Sequence, residues 1–122
     1  MKALFTITGK VQPGHKRGKG LGFPTLNLQV NEKLPEGIFI SQTMVAGKQL
    51  NSLTFVGAAK TYNETVVQAE TYLFDFAQDI YGQEVTVTAL KKIRDNEKFE
   101  SEEALIKRME EDKQEALRYF SD

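Results

Sequence analysis

The feature that most constrains this chain is a change in the spacing of its apolar residues. Up to about residue 93 they alternate in short runs broken by turn residues, and from Leu105 to Phe120 they recur at helical spacing. The first pattern builds strands and the second builds one amphipathic helix. Leu4–Val11 alternates loosely and stops at Pro13-Gly14, and Leu26–Val30 breaks at Asn31-Glu32-Lys33. Ile38–Val45 and Leu50–Val56 flank Ala46-Gly47-Lys48 and read as a hairpin. Thr65–Phe76 is the longest strand candidate, and Glu84–Ile93 places Val85, Val87 and Ala89 on one face. Ser101 is a good N-cap, and Glu102 and Glu103 suit the first turn of a helix. Leu105, Ile106, Met109, Ala116, Leu117 and Phe120 then form its apolar stripe.

An open sheet of this length would leave two exposed edges, so the pattern predicts closure. The expected fold is all-β with a C-terminal helix: a small antiparallel barrel capped by that helix. One domain spanning 1–122 is expected, with strands over about 3–93 and the helix over about 101–120.

Composition removes several classes of function. A chain of 122 residues can bury one core without staples. It has no cysteine, which excludes disulfides, thiolate metal sites and a cysteine nucleophile, and its one histidine is His15. No apolar run approaches the ~18 residues that span a bilayer, and the start has no secretory pattern. A cytoplasmic protein with no membrane partner is expected. The charge is uneven: residues 1–60 hold eight Lys and Arg against two Glu, whereas 61–122 hold eight against fifteen Asp and Glu. Much of the acid lies in Glu97–Glu115 and reads as the wet face of the helix. The positive excess includes a tight group, His15, Lys16, Arg17 and Lys19. That compact group points to a local anionic ligand, with no nucleic acid as partner.

Three constellations could carry chemistry. Gly14 to Gly22 is a glycine-rich basic loop whose backbone could approach an anion closely, or serve only as a hairpin connection. Its spacing is not that of a Walker loop. Beyond it, Thr25 and Asn27 lie two apart, so on an extended segment both point the same way. A hydroxyl and an amide oxygen suit a hard cation such as Mg²⁺, and they suit turn backbone equally. The second constellation is Glu70, mid-strand among Val66, Val67, Tyr72 and Phe74. It is either a solvated side chain or, on a partly buried face, a general base. Alternation leaves the face open, because Val67, Ala69 and Leu73 make an equally apolar set opposite. The third is Ile93–Phe99, where Arg94 and Phe99 could hold a planar ligand or merely connect strand to helix.

In order and spacing, these segments resemble the riboflavin kinase (flavokinase) family. The resemblance is carried by Gly9-Lys10-Val11, Leu21-Gly22-Phe23-Pro24-Thr25-Leu26-Asn27 and Pro35-Glu36-Gly37-Ile38-Phe39. It continues through Glu70-Thr71-Tyr72-Leu73-Phe74-Asp75-Phe76, Ile80-Tyr81-Gly82, Ile93-Arg94-Asp95-Asn96-Glu97-Lys98-Phe99 and the acidic helix from Ser101. It implies a six-stranded Greek-key barrel with a C-terminal helix, and transfer of the ATP γ-phosphoryl group to riboflavin, giving FMN and ADP. By the same resemblance Gly14, Lys19 and Gly20 would cradle the ATP phosphates, with Thr25 and Asn27 holding phosphate and Mg²⁺. Glu70 would be the catalytic base, and Arg94 and Phe99 would meet the flavin. Where the family usually has Gly-x-x-Pro-Thr-Phe, this chain reads Gly57-Ala58-Ala59-Lys60-Thr61-Tyr62. The chain has no room for the adenylyltransferase (FAD synthetase) module, so a complete protein of this length is expected to be a monomeric kinase making FMN but not FAD, and the chain could equally be an excised domain. The alternative is a non-catalytic flavin- or nucleotide-binding barrel of the same fold.

Overall fold

The computed structural model describes residues 3–12, 25–30, 33–61, 64–75, 80 and 82–121. The strands are β1 (Phe5–Lys10), β2 (Thr25–Val30), β3 (Gly37–Val45), β4 (Lys48–Thr61), β5 (Glu64–Leu73) and β6 (Glu84–Arg94), followed by helix α1 (Glu102–Ser121). They form one antiparallel sheet in the order β1-β6-β3-β4-β5-β2. Within it, β6-β3-β4-β5 is a Greek key: three hairpin-linked strands and a fourth that returns beside the first. The outer strands approach each other where Gln12 bridges to Asn27 and its N–H donates to the Asn27 carbonyl at 2.8 Å. The barrel is therefore nearly closed, as the sequence pattern predicts.

The β3–β4 hairpin turns through Ala46 and Gly47, both at positive φ. Such a two-residue turn matches the right-handed twist of the strands it joins. β4 runs five residues past the predicted end at Val56, pairing with β5 out to Thr61↔Glu64. Lysine rather than proline at position 60 leaves an amide N–H and a free φ there, so the ladder continues. β5 in turn ends at Leu73, short of the predicted Phe76, and Asp75 at φ 57 breaks the extended run.

Both faces of the central strands are covered. Leu28, Phe39, Val56, Ala69, Leu73, Val85 and Val87 fill the barrel. Ile38, Ile40, Leu53, Tyr72 and Phe74 face outward and pack with Met109 and Ala116 of α1. This settles the ambiguity at β5: Ala69 and Leu73 point inward, so Glu70, Tyr72 and Phe74 share the outer, helix-covered face. The interior also holds a chain of five buried hydroxyls across β3, β4 and β5. Thr43 meets Ser52 at 2.9 Å, Ser52 meets Ser41 at 2.7 Å, Ser41 meets Thr54 at 2.8 Å, and Thr54 meets Thr71 at 3.1 Å. Each buried hydroxyl thus has a partner, as burial requires.

Helix α1 starts as expected, with the Ala104 N–H donating to Ser101 Oγ at 3.2 Å. Two details of its predicted faces are corrected. Leu117 is 40% exposed, at the margin of the stripe, and Asp112 is only 2% exposed although it belongs to the stretch read as a wet face. Asp112 falls in phase with Leu105, Met109 and Ala116, so helical geometry turns it toward the barrel. Finally, β3 meets β6 through two register shifts, between Ile38 and Phe39 and between Ile40 and Ser41. Gly37 sits at φ +138 at the start of β3, where a Cβ would lie 2.6 Å from Lys92 Cε and 2.9 Å from the Arg94 carbonyl oxygen. Glycine lets the strands approach this closely, which brings Arg94 beside Ile38.

Candidate active site

The antiparallel register of β2 and β5 sets Thr25 opposite Tyr72 and Asn27 opposite Glu70. All four therefore share the outer face of the barrel. The Thr25 hydroxyl donates to Glu70 Oε2 across 3.4 Å, a long bond that leaves both groups capacity for other partners. Beside them the Asn27 side-chain oxygen Oδ1 is buried and accepts no hydrogen bond from the described residues. A buried acceptor without a donor is uncommon and costly. A bound cation would relieve it, because hydroxyl, amide and carboxylate oxygens are hard donors. Among the described residues no group of three or more His, Cys, Asp or Glu could hold a metal by itself. A cation here would accordingly take much of its shell from ligand oxygens or water, as Mg²⁺ commonly does.

These groups lie at a cleft of about 760 Å³ between the barrel and α1, with Thr25 and Glu70 in its lining. Ile38, Phe55 and Val56 form much of the barrel wall, and Phe99, Leu105 and Met109 face them. The cleft is thus apolar along its sides and polar where β2 meets β5, the usual character of a small-molecule site.

Residues 95–101, between β6 and α1, are tied down on both sides. Asn96 Nδ2 donates to the Val56 carbonyl of β4 at 3.0 Å. On the helix side, Arg94 Nε and Nη2 donate to the Asp112 carboxylate at 2.7–3.1 Å, and Nη1 donates to the Asp95 carbonyl at 3.2 Å. Glu97 lies 3.6 Å from Arg94 and 3.3 Å from Arg108. The Arg94 guanidinium carbon sits 5.9 Å from the centre of the Phe99 ring, within cation–π range. At the loop's start Lys92 meets Asp95 at 2.6 Å, and this hydrogen bond, with the lysine's charge, holds the Asp95 carboxyl below the usual aspartate range.

Of the residues singled out from sequence, Thr25, Glu70, Arg94 and Phe99 all line this cleft, and Asn27 stands beside Glu70. Gly14, Lys19 and Gly20 lie outside the described residues. Arg94 borders the cleft, but its hydrogen-bonding fork is occupied by Asp112. Sequence reasoning missed Asp112, Asn96 and the apolar wall of Ile38, Phe55 and Met109. The signal for Asp112 was present, in its spacing from Met109 and Ala116. Nothing local marks Asn96, whose partner is forty residues away.

The fold and site define a class: a small Greek-key barrel with a carboxylate and a hydroxyl at a cleft beneath its helix and a buried amide oxygen beside them. Comparison with known proteins specifies it further. The family model for riboflavin kinase matches residues 1–120, and the chain belongs to that family. It is 37% identical to the bifunctional riboflavin kinase/FMN adenylyltransferase of Bacillus subtilis, over 96% of this chain and 39% of that protein. It is 30% identical to the protein of the same name from Escherichia coli K12, over 95% of this chain and 38% of that one. The chain spans about two fifths of the length of these curated relatives. A crystal structure described as a macrolide-efflux protein from Streptococcus pneumoniae shares the fold, with a TM-score of 0.83 and 31% identity over 89% of this chain and 37% of that one. Among the described residues of this chain, no helix is long and apolar enough to cross a membrane.

Proposed function

We propose that residues 1–122 form one kinase domain that transfers the γ-phosphoryl group of ATP to the 5′-hydroxyl of the ribityl chain of riboflavin, giving FMN and ADP. The observation that carries this reading is the pairing of Glu70 with Asn27 across β2 and β5, where an unsatisfied amide oxygen lies beside a carboxylate at an apolar-walled cleft. Family membership supports the choice of substrates.

Thr25 Oγ1 and Asn27 Oδ1 would hold Mg²⁺, which when bound neutralises charge on the phosphate oxygens. Glu70 accepts the proton of the acceptor hydroxyl as its oxygen bonds to the γ-phosphorus. The bond from that phosphorus to the bridging oxygen breaks, and the leaving group departs as ADP. Thr25, donating to Glu70 Oε2, orients the carboxylate for this role. Phe99, Phe55 and Ile38 offer flat and apolar surface to the flavin ring and keep water from the cleft. Gly14, Lys19 and Gly20 complete the reading as the ATP phosphate cradle. Phosphoryl transfer needs mainly positioning and charge stabilisation, and a single base is worth roughly 10²–10⁴ in rate. The reading describes a cytoplasmic monomer that acts on small molecules and takes neither nucleic acid nor membrane as partner, in keeping with its cysteine-free composition and near-neutral net charge.

The test is chromatography of flavins and nucleotides after incubation with riboflavin, ATP and Mg²⁺. Equal amounts of FMN and ADP are expected, and none once the divalent cation is chelated. Quenching of riboflavin fluorescence with no ADP formed would reduce the chain to a binding module.

A further inference from the structure

We propose that Asp112 is a positioning residue for the acceptor part of the cleft, acting through Arg94 on residues 95–101. The inference rests on the riboflavin kinase reading. Asp112 is 2% exposed and occupies a place in the apolar stripe of α1. For docking the helix alone, a buried ion pair has no advantage over well-packed apolar residues of similar volume. What the pair adds is direction. The planar guanidinium of Arg94 engages Asp112 with Nε and Nη2 at once, which fixes the orientation of its remaining nitrogen.

That nitrogen, Nη1, holds the Asp95 carbonyl, so the chain's course out of β6 is set from the helix. The same guanidinium lies 5.9 Å from the Phe99 ring, and Arg94 and Phe99 both border the cleft. Asp112 is not among the residues lining that cleft, so its influence passes through Arg94, which it holds at 2.7 Å, and more weakly through Arg108 at 3.9 Å, which pairs with Glu97. Glu97, placed between Arg94 and Arg108, reinforces the arrangement. The opposite anchor, from Asn96 to the Val56 carbonyl, ties the segment to β4.

The experiment compares the full chain with Asp112→Asn and with the double variant Arg94→Met/Asp112→Leu. The single change leaves the guanidinium facing a neutral partner and can impair folding. The double change replaces the pair with apolar residues of similar volume, so its melting temperature is expected to stay near the parent's. Its KM for riboflavin, and its Kd from flavin fluorescence quenching, should nevertheless rise about tenfold, short of the roughly 10²-fold that a 1 Å misplacement can cost. The KM for ATP should change far less. A double variant with parental KM and Kd, or with both substrates weakened alike, overturns the proposal.

Limited digestion of the full chain reads the same clamp without substrate. Lys98 is exposed on the held segment, and trypsin should cut after it about tenfold faster in the double variant. Cleavage at the parental rate also overturns the proposal. A parent chain that forms no FMN would refute the kinase reading, and the digestion result would still decide the clamp.

Discussion

Replacing Asn27 with leucine is expected to make the chain more stable and less able to turn over. The Asn27 Oδ1 atom is buried without a donor among the described residues, and such an acceptor costs about 1–3 kcal/mol. Leucine keeps the branch at Cγ and the same number of heavy atoms while removing the stranded oxygen. The backbone carbonyl of Asn27, which accepts the Gln12 N–H and draws the barrel edges together, is untouched. Asn27 as a whole is only half-buried, which favours the lower part of the range, about 1–2 kcal/mol. For a chain of this size each kcal/mol moves Tm by about 3–6 °C, so a rise of about 3–12 °C is expected in EDTA. In Mg²⁺ and ATP the order should reverse. A parent saturated at a hundred times Kd gains about 2.7 kcal/mol from the ligand, and the variant, lacking one oxygen, gains less. FMN formation should fall by at least the roughly 10–100-fold that loss of a supporting metal contact costs. Thermal melts in the two buffers, with flavin chromatography alongside, check both halves. A variant that melts below the parent in EDTA, or that makes FMN at the parental rate, refutes the assignment of Oδ1 as a metal ligand.

Glu70→Gln should lower kcat by about 10²–10⁴ while riboflavin binding and Tm stay close to the parent's, since its hydrogen bond from Thr25 is long; quench titration, melts and product chromatography separate the effects. Gly37→Ala should cost about 1–3 kcal/mol, because φ +138 is strained for alanine and the new Cβ meets the Arg94 carbonyl at 2.9 Å; a denaturant midpoint equal to the parent's would contradict this. Ser41→Ala should cost about 1–3 kcal/mol, because it interrupts the buried hydroxyl chain between Ser52 and Thr54; urea unfolding measures it, and an unchanged midpoint would show that the chain adds nothing to stability.

Much of this architecture was legible in the order of residues. The Ala46-Gly47 turn, the alternation at Val85, Val87 and Ala89 and the cap at Ser101 are local signals, each satisfied within a few residues of itself. They place the elements to within a few positions. The errors lie where local signals are silent: β4 continued because β5 was there to pair with it, and β5 stopped where the backbone turned at Asp75. Thr25, Asn27 and Glu70 were legible as candidates, and their spacing already required Thr25 and Asn27 to share a face.

By itself, then, the sequence determined a cysteine-free chain of six strands and one helix, the strand face common to Thr25 and Asn27, and a resemblance to the riboflavin kinases. Only the tertiary structure decided that Glu70 lies on the outer side of the barrel opposite Asn27, that Asp112 is buried against Arg94, and that a cleft opens between β4, β5 and the helix. The physical reason is that both faces of β5 carry enough apolar side chains to be buried, so alternation is symmetric there. The symmetry is broken only when α1 covers one face, through contacts that join residues far apart in the chain.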